Sequence, residues 1–500
     1  MEAKIKVFRK KMAWFLSVLA IMLYFLIVLL MLNNGLSFNY WVSLILFSIL
    51  LFLCIRYRKR MLAFVMRHKV GVCAFMVSLI VVGFLSRFAF LLFQGSFHID
   101  LTLSDTGVHW YGAQQIVELG GLGQEIGEYE RLYPYLFSYT GVLSIFMSIF
   151  GKAYWSVLLL NIVCDVISCA LLYVLFYSWK KNKNVGLLAA TLWAINPLQI
   201  VFCGLPLAIV VVNMLLIVSV VTIYFSIYCC NKKIRLTVFP LLAGCMIAVG
   251  NAFRPIFIVL LIAYLVYCFL YVLKQKSDLR GLLISCIMMI LGYLIVSIVP
   301  GFLHRQFNSY YHGERGRVGW SVFVGANYET MGVWSLDDSC YFFDDVLGER
   351  ASGDVDVASS MVFNEAIGRY KEMFLNWQIV PHFLNKTSVL FTDVEDSIYD
   401  LPYAFNFSKE NSLYMMSQDL ILVYYYCIVC VIGWCIVSRI KRGRYGLLSS
   451  SFEKFLVIVI LGLFAASMLV EAMNRYILPF IVILLILAIG LFYQDRKVMV

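Results

Sequence analysis

Runs of about twenty apolar residues recur along this sequence from end to end, and that length constrains the solvent the chain must fold in. A helix rising 1.5 Å per residue needs roughly 20 such positions to cross about 30 Å of hydrocarbon. Lipid offers no hydrogen-bond partner, so every backbone N–H and C=O in such a run must be satisfied within its own segment, as a helix does. Composition agrees. Of 500 residues, 62% are hydrophobic and 14% charged, against roughly 25% charge in an ordinary soluble domain. The runs lie near 13–33, 38–55, 70–92, 155–177, 185–201, 207–230, 236–251, 255–273, 281–302, 419–438, 455–471 and 476–493. The first lacks a small-residue cleavage site and reads as a retained anchor.

The stretch 136–150 (LFSYTGVLSIFMSIF) decides the topology. If it lies at the interface and the amino terminus (MEAKIKVFRKK) is cytoplasmic, then RYRKR, RHK, KKNK, NKKIR, KQKSDLR, RIKRGR and QDRK all fall inside, as the excess of Lys and Arg in cytoplasmic loops requires. If it crossed, every cluster from KKNK onward would be outside. The expected fold is therefore an all-α polytopic membrane protein with about 12 transmembrane helices and both termini cytoplasmic, multi-pass in the cell membrane. Interfacial helices occupy its first outer loop, and a larger outer loop region follows. Residues 1–60 read as an extra two-span hairpin, and 61–302 as the transmembrane core with its first outer loop at 95–153. The large outer region is 303–418, and 419–500 carries the closing helices.

The net charge of +11 is a topology signal rather than a sign of nucleic acid. The inner segments hold 27 of the 40 Lys and Arg and four of the 29 acids, Glu2, Asp278, Glu453 and Asp495. Scattered singly, these acids do not suit the paired-carboxylate metal site that a cytosolic nucleotide-sugar enzyme usually needs, and P-loop and GxGxxG patterns are missing. Chemistry is expected on the outer face, with a substrate already anchored in the membrane. No metal or cofactor is expected. Of 14 Cys, all but Cys340 sit in or at the ends of apolar runs, and neither they nor the histidines show metal-ligand spacing. The acids Asp337-Asp338, Asp344-Asp345 and Asp354-x-Asp356 read as a solvated face. Asn161 and Asp165, four apart within a span, read as an interhelical polar tie.

Two outer stretches concentrate reactive residues. In the first, Arg87 ends its span, Asp100 and Asp105 follow in polar turns, and Trp110, Tyr111, Ile116 and Val117 give the next helix an apolar side. Asp105 has two readings: a helix cap, or a partly desolvated general base for a hydroxyl nucleophile. The second is EAMNRYILPF, where Glu471 and Arg475 are four apart and share a face in any helical stretch. Either they clamp each other at a tight corner, or Arg475 aims its forked donors at a lipid phosphate.

The ordered set resembles a known family. A D-x(5)-Y-x-A arrangement (Asp105, Tyr111, Ala113), Gly120, Tyr133-Pro134-Tyr135, the interfacial segment ending Phe150-Gly151, the Lys180–Asn184 turn, Arg254-Pro255 and the closing E-x(3)-R-Y-x(2)-P (Glu471, Arg475, Tyr476, Pro479) are similar to the polyprenyl-phosphate-dependent glycosyltransferases of the C superfamily. The bacterial family 39-like members, related to protein O-mannosyltransferases and lipid A aminoarabinose transferases, fit best. The resemblance implies an inverting transfer of a sugar from a polyprenyl-phosphate donor to a glycan, lipid or protein acceptor. Asp105 is then the base with Asp100 as its backup, and Arg87, Arg254 or Arg475 offsets the charge on the departing phosphate. Tyr111, Tyr133, Tyr135, Glu471 and Tyr476 complete the substrate site. The chain departs from the protein O-mannosyltransferases in lacking their Asp-Glu pair, since Ser104 and Thr106 flank Asp105, and in its two extra spans at 13–55. The other function classes weighed are a polysaccharide polymerase or ligase and a flippase for lipid-linked saccharides. A flippase is expected to carry several ionisable groups along a central path.

Overall fold

The computed structural model describes residues 104–272, 279–392 apart from 315 and 317, residues 401 and 404, 412–441 and 450–494. The runs at 13–33, 38–55 and 70–92 lie outside them, together with Arg87 and Asp100. Among the described residues the regular elements are helices, and the protein is an all-α polytopic membrane protein. The first three helices are α1 (Asp105–Leu119), α2 (Gln124–Leu132) and α3 (Leu136–Phe150). A bundle follows with α4 (Trp155–Lys180), α5 (Lys183–Ala194), α6 (Pro197–Phe202), α7 (Ile209–Tyr228), α8 (Val238–Phe253), α9 (Ile258–Val272) and α10 (Leu279–Phe307). After it come α11 (Val318–Gly325), α12 (Val355–Leu375) and α13 (Ile379–Thr392), and then α14 (Ser412–Lys441), α15 (Ser451–Leu469) and α16 (Leu478–Gln494) close the described chain.

Among the described residues, six stretches are long and apolar enough to cross a bilayer: Trp155–Lys180, Ile209–Tyr228, Lys232–Phe253, Leu279–Phe307, Ser417–Ser438 and Ser451–Leu469. Three shorter apolar helices accompany them, Leu136–Phe150, Pro255–Leu270 and Pro479–Tyr493. At 15 residues, α3 spans roughly 22 Å, short of the hydrocarbon thickness. The run at 185–201 is a broken helix rather than one span. Asn196 accepts the Leu198 N–H and Pro197 takes the first position of α6, a site where proline's missing donor costs nothing, so the chain restarts in a new direction.

The polar residues inside α4 bond to the chain on either side of that break. Asn161 Nδ2 donates to the carbonyls of Cys203 and Leu205, at 3.1 and 3.0 Å, in the connection between α6 and α7. Asp165 accepts from Trp193 Nε1 at 2.8 Å on α5. Both residues are buried and tie α4 to its neighbours, Asp165 to α5 and Asn161 to the α6–α7 connection.

Close backbone contact locks α8 to α10. A Cβ on Gly244 would meet the Met289 carbonyl oxygen at 2.0 Å, and one on Gly292 would meet the Leu241 oxygen at 2.2 Å. Only glycine permits that approach.

The two ends of the bundle differ. At one, Lys180 Nζ donates to Gly490 O at 2.9 Å and lies 3.7 Å from Glu453, while Ser450 and Glu453 form a reciprocal capping box that starts α15. The other end gathers α1–α3, the α8–α9 junction, the end of α10 and the α15–α16 junction. Breaking a buried pair while leaving one charge behind costs about 3–5 kcal/mol, whereas losing a cap costs about 1 kcal/mol. Glu453→Ala is therefore expected to lower the thermal unfolding midpoint in detergent well beyond Ser450→Ala. Equal midpoints would show that the Lys180 pair contributes nothing.

Candidate active site

Helix α1 begins with a polar turn in which Ser104 is the N-cap. Its backbone is extended, and its Oγ accepts the Gly107 N–H at 3.3 Å. Asp105 is thus the first residue of the helix rather than its cap, and its carboxylate is released for other partners. Oδ1 accepts the Tyr129 hydroxyl at 3.4 Å, and Oδ2 lies 3.4 Å from Arg475 Nη1, with both charged side chains about one-fifth exposed.

Arg475 reaches that position because α15 stops at Leu469. Val470 is extended (φ −109°, ψ 173°), and the chain turns again only in a single 3-10 turn, Asn474–Ile477. The helical face expected to carry Glu471 and Arg475 together is therefore absent. Glu471 Oε2 instead accepts the Tyr476 hydroxyl at 3.3 Å, and Arg475 turns to Asp105. Arg254 enters from the end of α8, held extended (φ −151°) by the following Pro255, with its guanidinium 5.5 Å from the Tyr476 ring centroid. Burial and the like charge of Arg475 weigh against the Arg254 cation, while Tyr476, Tyr135 and Asp105 favour it. Burial, followed by Asp105, raises the Tyr135 phenol above its usual range and keeps it a proton donor, with Arg254 and Arg475 opposing.

Six of the expected site residues thus converge: Asp105, Tyr135, Arg254, Glu471, Arg475 and Tyr476. Tyr133 stacks instead between Tyr129 and Tyr135, at ring separations of 4.9 and 6.2 Å. Tyr111 packs half-buried against the bundle core and the apolar cluster beneath α1.

One turn below Asp105 lies a buried chain absent from the sequence reading. Glu130 is fully buried; its Oε1 accepts the Thr140 hydroxyl at 2.6 Å, and Thr140 Oγ1 lies 3.0 Å from His109 Nδ1. Glu130 Oε2 faces His304 Nε2 at 3.8 Å and accepts no hydrogen bond. Burial raises the Glu130 carboxyl from 4.5 to about 8, the Thr140 bond opposing, and lowers His109 to about 4. Near neutrality the chain is polar but uncharged. The helical period placed Glu130 on the same face of α2 as Ile126, a signal hidden among three carboxylates in GQEIGEYE.

The acids of the large loop have structural partners. Asp338 accepts from Asn327 at 2.7 Å and pairs with Arg369, and Asp354 caps α12. Among the described residues, no group of three or more His, Cys, Asp or Glu gathers as a metal site.

Because the folded state raises the Glu130 pKa, its stabilising contribution is complete below about pH 4.5 and is lost as pH climbs towards about 8. Glu130→Gln should therefore gain stability relative to wild type across that interval, measured as the difference between the two unfolding-midpoint profiles. The difference isolates Glu130, since His109 gives both proteins the same opposite slope between about pH 4 and 6.5. Parallel profiles would refute the shift.

Comparison with known proteins gives a family-model match to one part of the chain and distant structural likenesses. No curated protein sequence matches. Among solved structures, the Archaeoglobus fulgidus oligosaccharyltransferase in its apo form is 11% identical with a TM-score of 0.46, over 86% of this chain and 52% of that one. The same organism's oligosaccharyltransferase AglB in complex with an inhibitory peptide and a dolichol-phosphate is 14% identical with a TM-score of 0.44, over 85% and 52%. A third, tethered to an acceptor peptide containing the NVT sequon, is 12% identical with a TM-score of 0.46, over 86% and 50%. The chain spans about half the length of these proteins. Residues 134–300, which carry Tyr135 and Arg254 but neither Asp105 nor Arg475, match the family model of dolichyl-phosphate-mannose-protein mannosyltransferases.

Proposed function

We propose that this protein is a membrane glycosyltransferase that moves a sugar from a polyprenyl-phosphate donor to an acceptor hydroxyl at the outer face of the cytoplasmic membrane, with inversion. The observation that carries the reading is the pairing of Asp105 with Arg475 at 3.4 Å beside Arg254, at one end of the bundle. Two guanidiniums that repel each other next to a carboxylate make a site that an incoming phosphate relieves.

The reaction follows from that exchange. The donor phosphate draws Arg475 and Arg254, and the Asp105 carboxylate is freed to accept the acceptor's proton. The acceptor oxygen bonds to the anomeric carbon from the face opposite the phosphate while the sugar–phosphate bond breaks. Its electron pair leaves with the lipid phosphate, whose charge the two arginines offset. Glu471 fixes Tyr476 beneath Arg254. An open cleft of about 840 Å³ beside α2, walled by Arg131, Glu314, Asp354, Asp356, Ser360 and Asn364, has the polar lining a hydroxylated acceptor requires. Arg87 and Asp100 are the other outer residues proposed here as phosphate ligand and second base.

Reconstituted protein supplied with polyprenyl-phosphate sugars tests the assignment. Asp105→Asn is expected to lower the transfer rate by about 10²-fold or more, and Asp100→Asn far less. Arg475→Gln should raise the donor KM by roughly tenfold or more, the loss expected for a charge-assisted phosphate contact. Undiminished transfer by folded Asp105→Asn would remove it as the base, and donor movement across the bilayer without sugar transfer would point to transport.

A further inference from the structure

The large region between α10 and α14 holds the closing corner from several directions. The Glu471 N–H donates to Ser321 O and the Ala472 N–H to Gly332 O, each at 2.7 Å. The Tyr370 hydroxyl donates to Leu469 O at 3.0 Å. At the centre of these contacts is Lys386 of α13, a side chain with no exposed surface. Its Nζ donates to Gly325 O at 2.9 Å, Met468 O at 2.9 Å and Val470 O at 2.5 Å, which matches the three donors of an ammonium with three carbonyls. Two of those oxygens belong to the end of α15, where carbonyls lack intrahelical partners and a cation is favoured. His382, one turn earlier, places Nε2 2.9 Å from the same Gly325 oxygen.

We infer that Lys386 is a positioning residue that sets the Glu471–Arg475–Tyr476 corner against Asp105, an inference that rests on the transferase reading for its kinetic consequence. The geometry runs in a short sequence. Lys386 fixes the carbonyls of Met468 and Val470, the chain is extended at Val470, and Glu471 and Arg475 project from the next five residues onto Tyr476 and Asp105. Lys386 acts through the Met468–Val470 backbone that leads into Glu471 and Arg475. Burial pulls the Lys386 pKa down to about 7, with the Glu471 charge opposing. An uncharged amine has two donors for three acceptors, so the ammonium is the form that completes the tripod.

The test uses the full chain in lipid nanodiscs, comparing wild type with Lys386→Met. Hydrogen exchange at the Glu471 and Ala472 amides is expected to accelerate about tenfold or more, with the amides of α1 unchanged. The donor KM should rise by a similar factor while kcat changes less. Should Lys386→Met fail to fold, Lys386→Gln, which keeps two N–H donors without the charge, is read in the same way. Wild-type exchange at residues 471 and 472 in either folded variant overturns the proposal. So does a faster corner with unchanged kinetics in an active enzyme, because Lys386 would then be merely structural. If wild type transfers no sugar, the transferase reading fails, and the exchange measurement still decides whether Lys386 holds the corner.

Discussion

Inside hydrocarbon a backbone polar group finds its partner in its own helix or pays several kcal/mol, and the ends of helices are where that demand lapses. The polar chemistry of this protein collects accordingly at the two ends of the bundle. One end joins Lys180 to Glu453 and to the last turn of α16. The other brings Asp105, Arg254 and Arg475 together from three separated junctions. Between them, the polar side chains of α4 bond to the chain around the interruption at Asn196-Pro197, Asp165 to Trp193 before it and Asn161 to the Cys203 and Leu205 carbonyls after it.

The charged end is a balance of groups that would be poorly placed alone. Asp105 offsets Arg475, the Tyr476 ring shields Arg254, and Glu471 holds the Tyr476 hydroxyl. Each comes from a different element, so their alignment depends on what fixes those elements. Beneath α1, a hydrogen-bonded chain of Glu130, Thr140 and His109 ties three helices together without adding a charge next to Asp105. Above α15, backbone contacts from the large region between α10 and α14 do the same for the corner. A fixed arrangement of dipoles and charges suits electrostatic stabilisation, since nothing has to reorganise as charge moves.

The helical class and, among the described residues, the positions of the long apolar helices were legible from apolar run length alone, because crossing the bilayer sets a minimum length. Asn196-Pro197 is a strong interrupter and marks a turn within the run at 185–201, but mean hydropathy, insensitive to a single missing donor, does not show that a second helix restarts there. Asp105, Arg254, Arg475 and their aromatic neighbours were legible because charges at the ends of apolar runs are few. Their pairing was not legible. Sequence spacing suggested Glu471 with Arg475, and only the extended chain after Leu469 sends Arg475 to Asp105. Glu130 and Lys386 escaped notice because burial, not residue type, makes them unusual. One hides in an acidic helix, and the other is a lone Lys in the amphipathic IVPHFLNKTSVLFT.

The contact between α8 and α10 bears on traffic through the membrane. Where Gly244 and Gly292 let one backbone lie against the other, no side chain can swing aside to open a crevice. A lipid tail has no doorway there, so under the proposed transferase function the donor would reach Arg254 along another flank of the bundle, with the α8–α10 seam as the closed wall behind it.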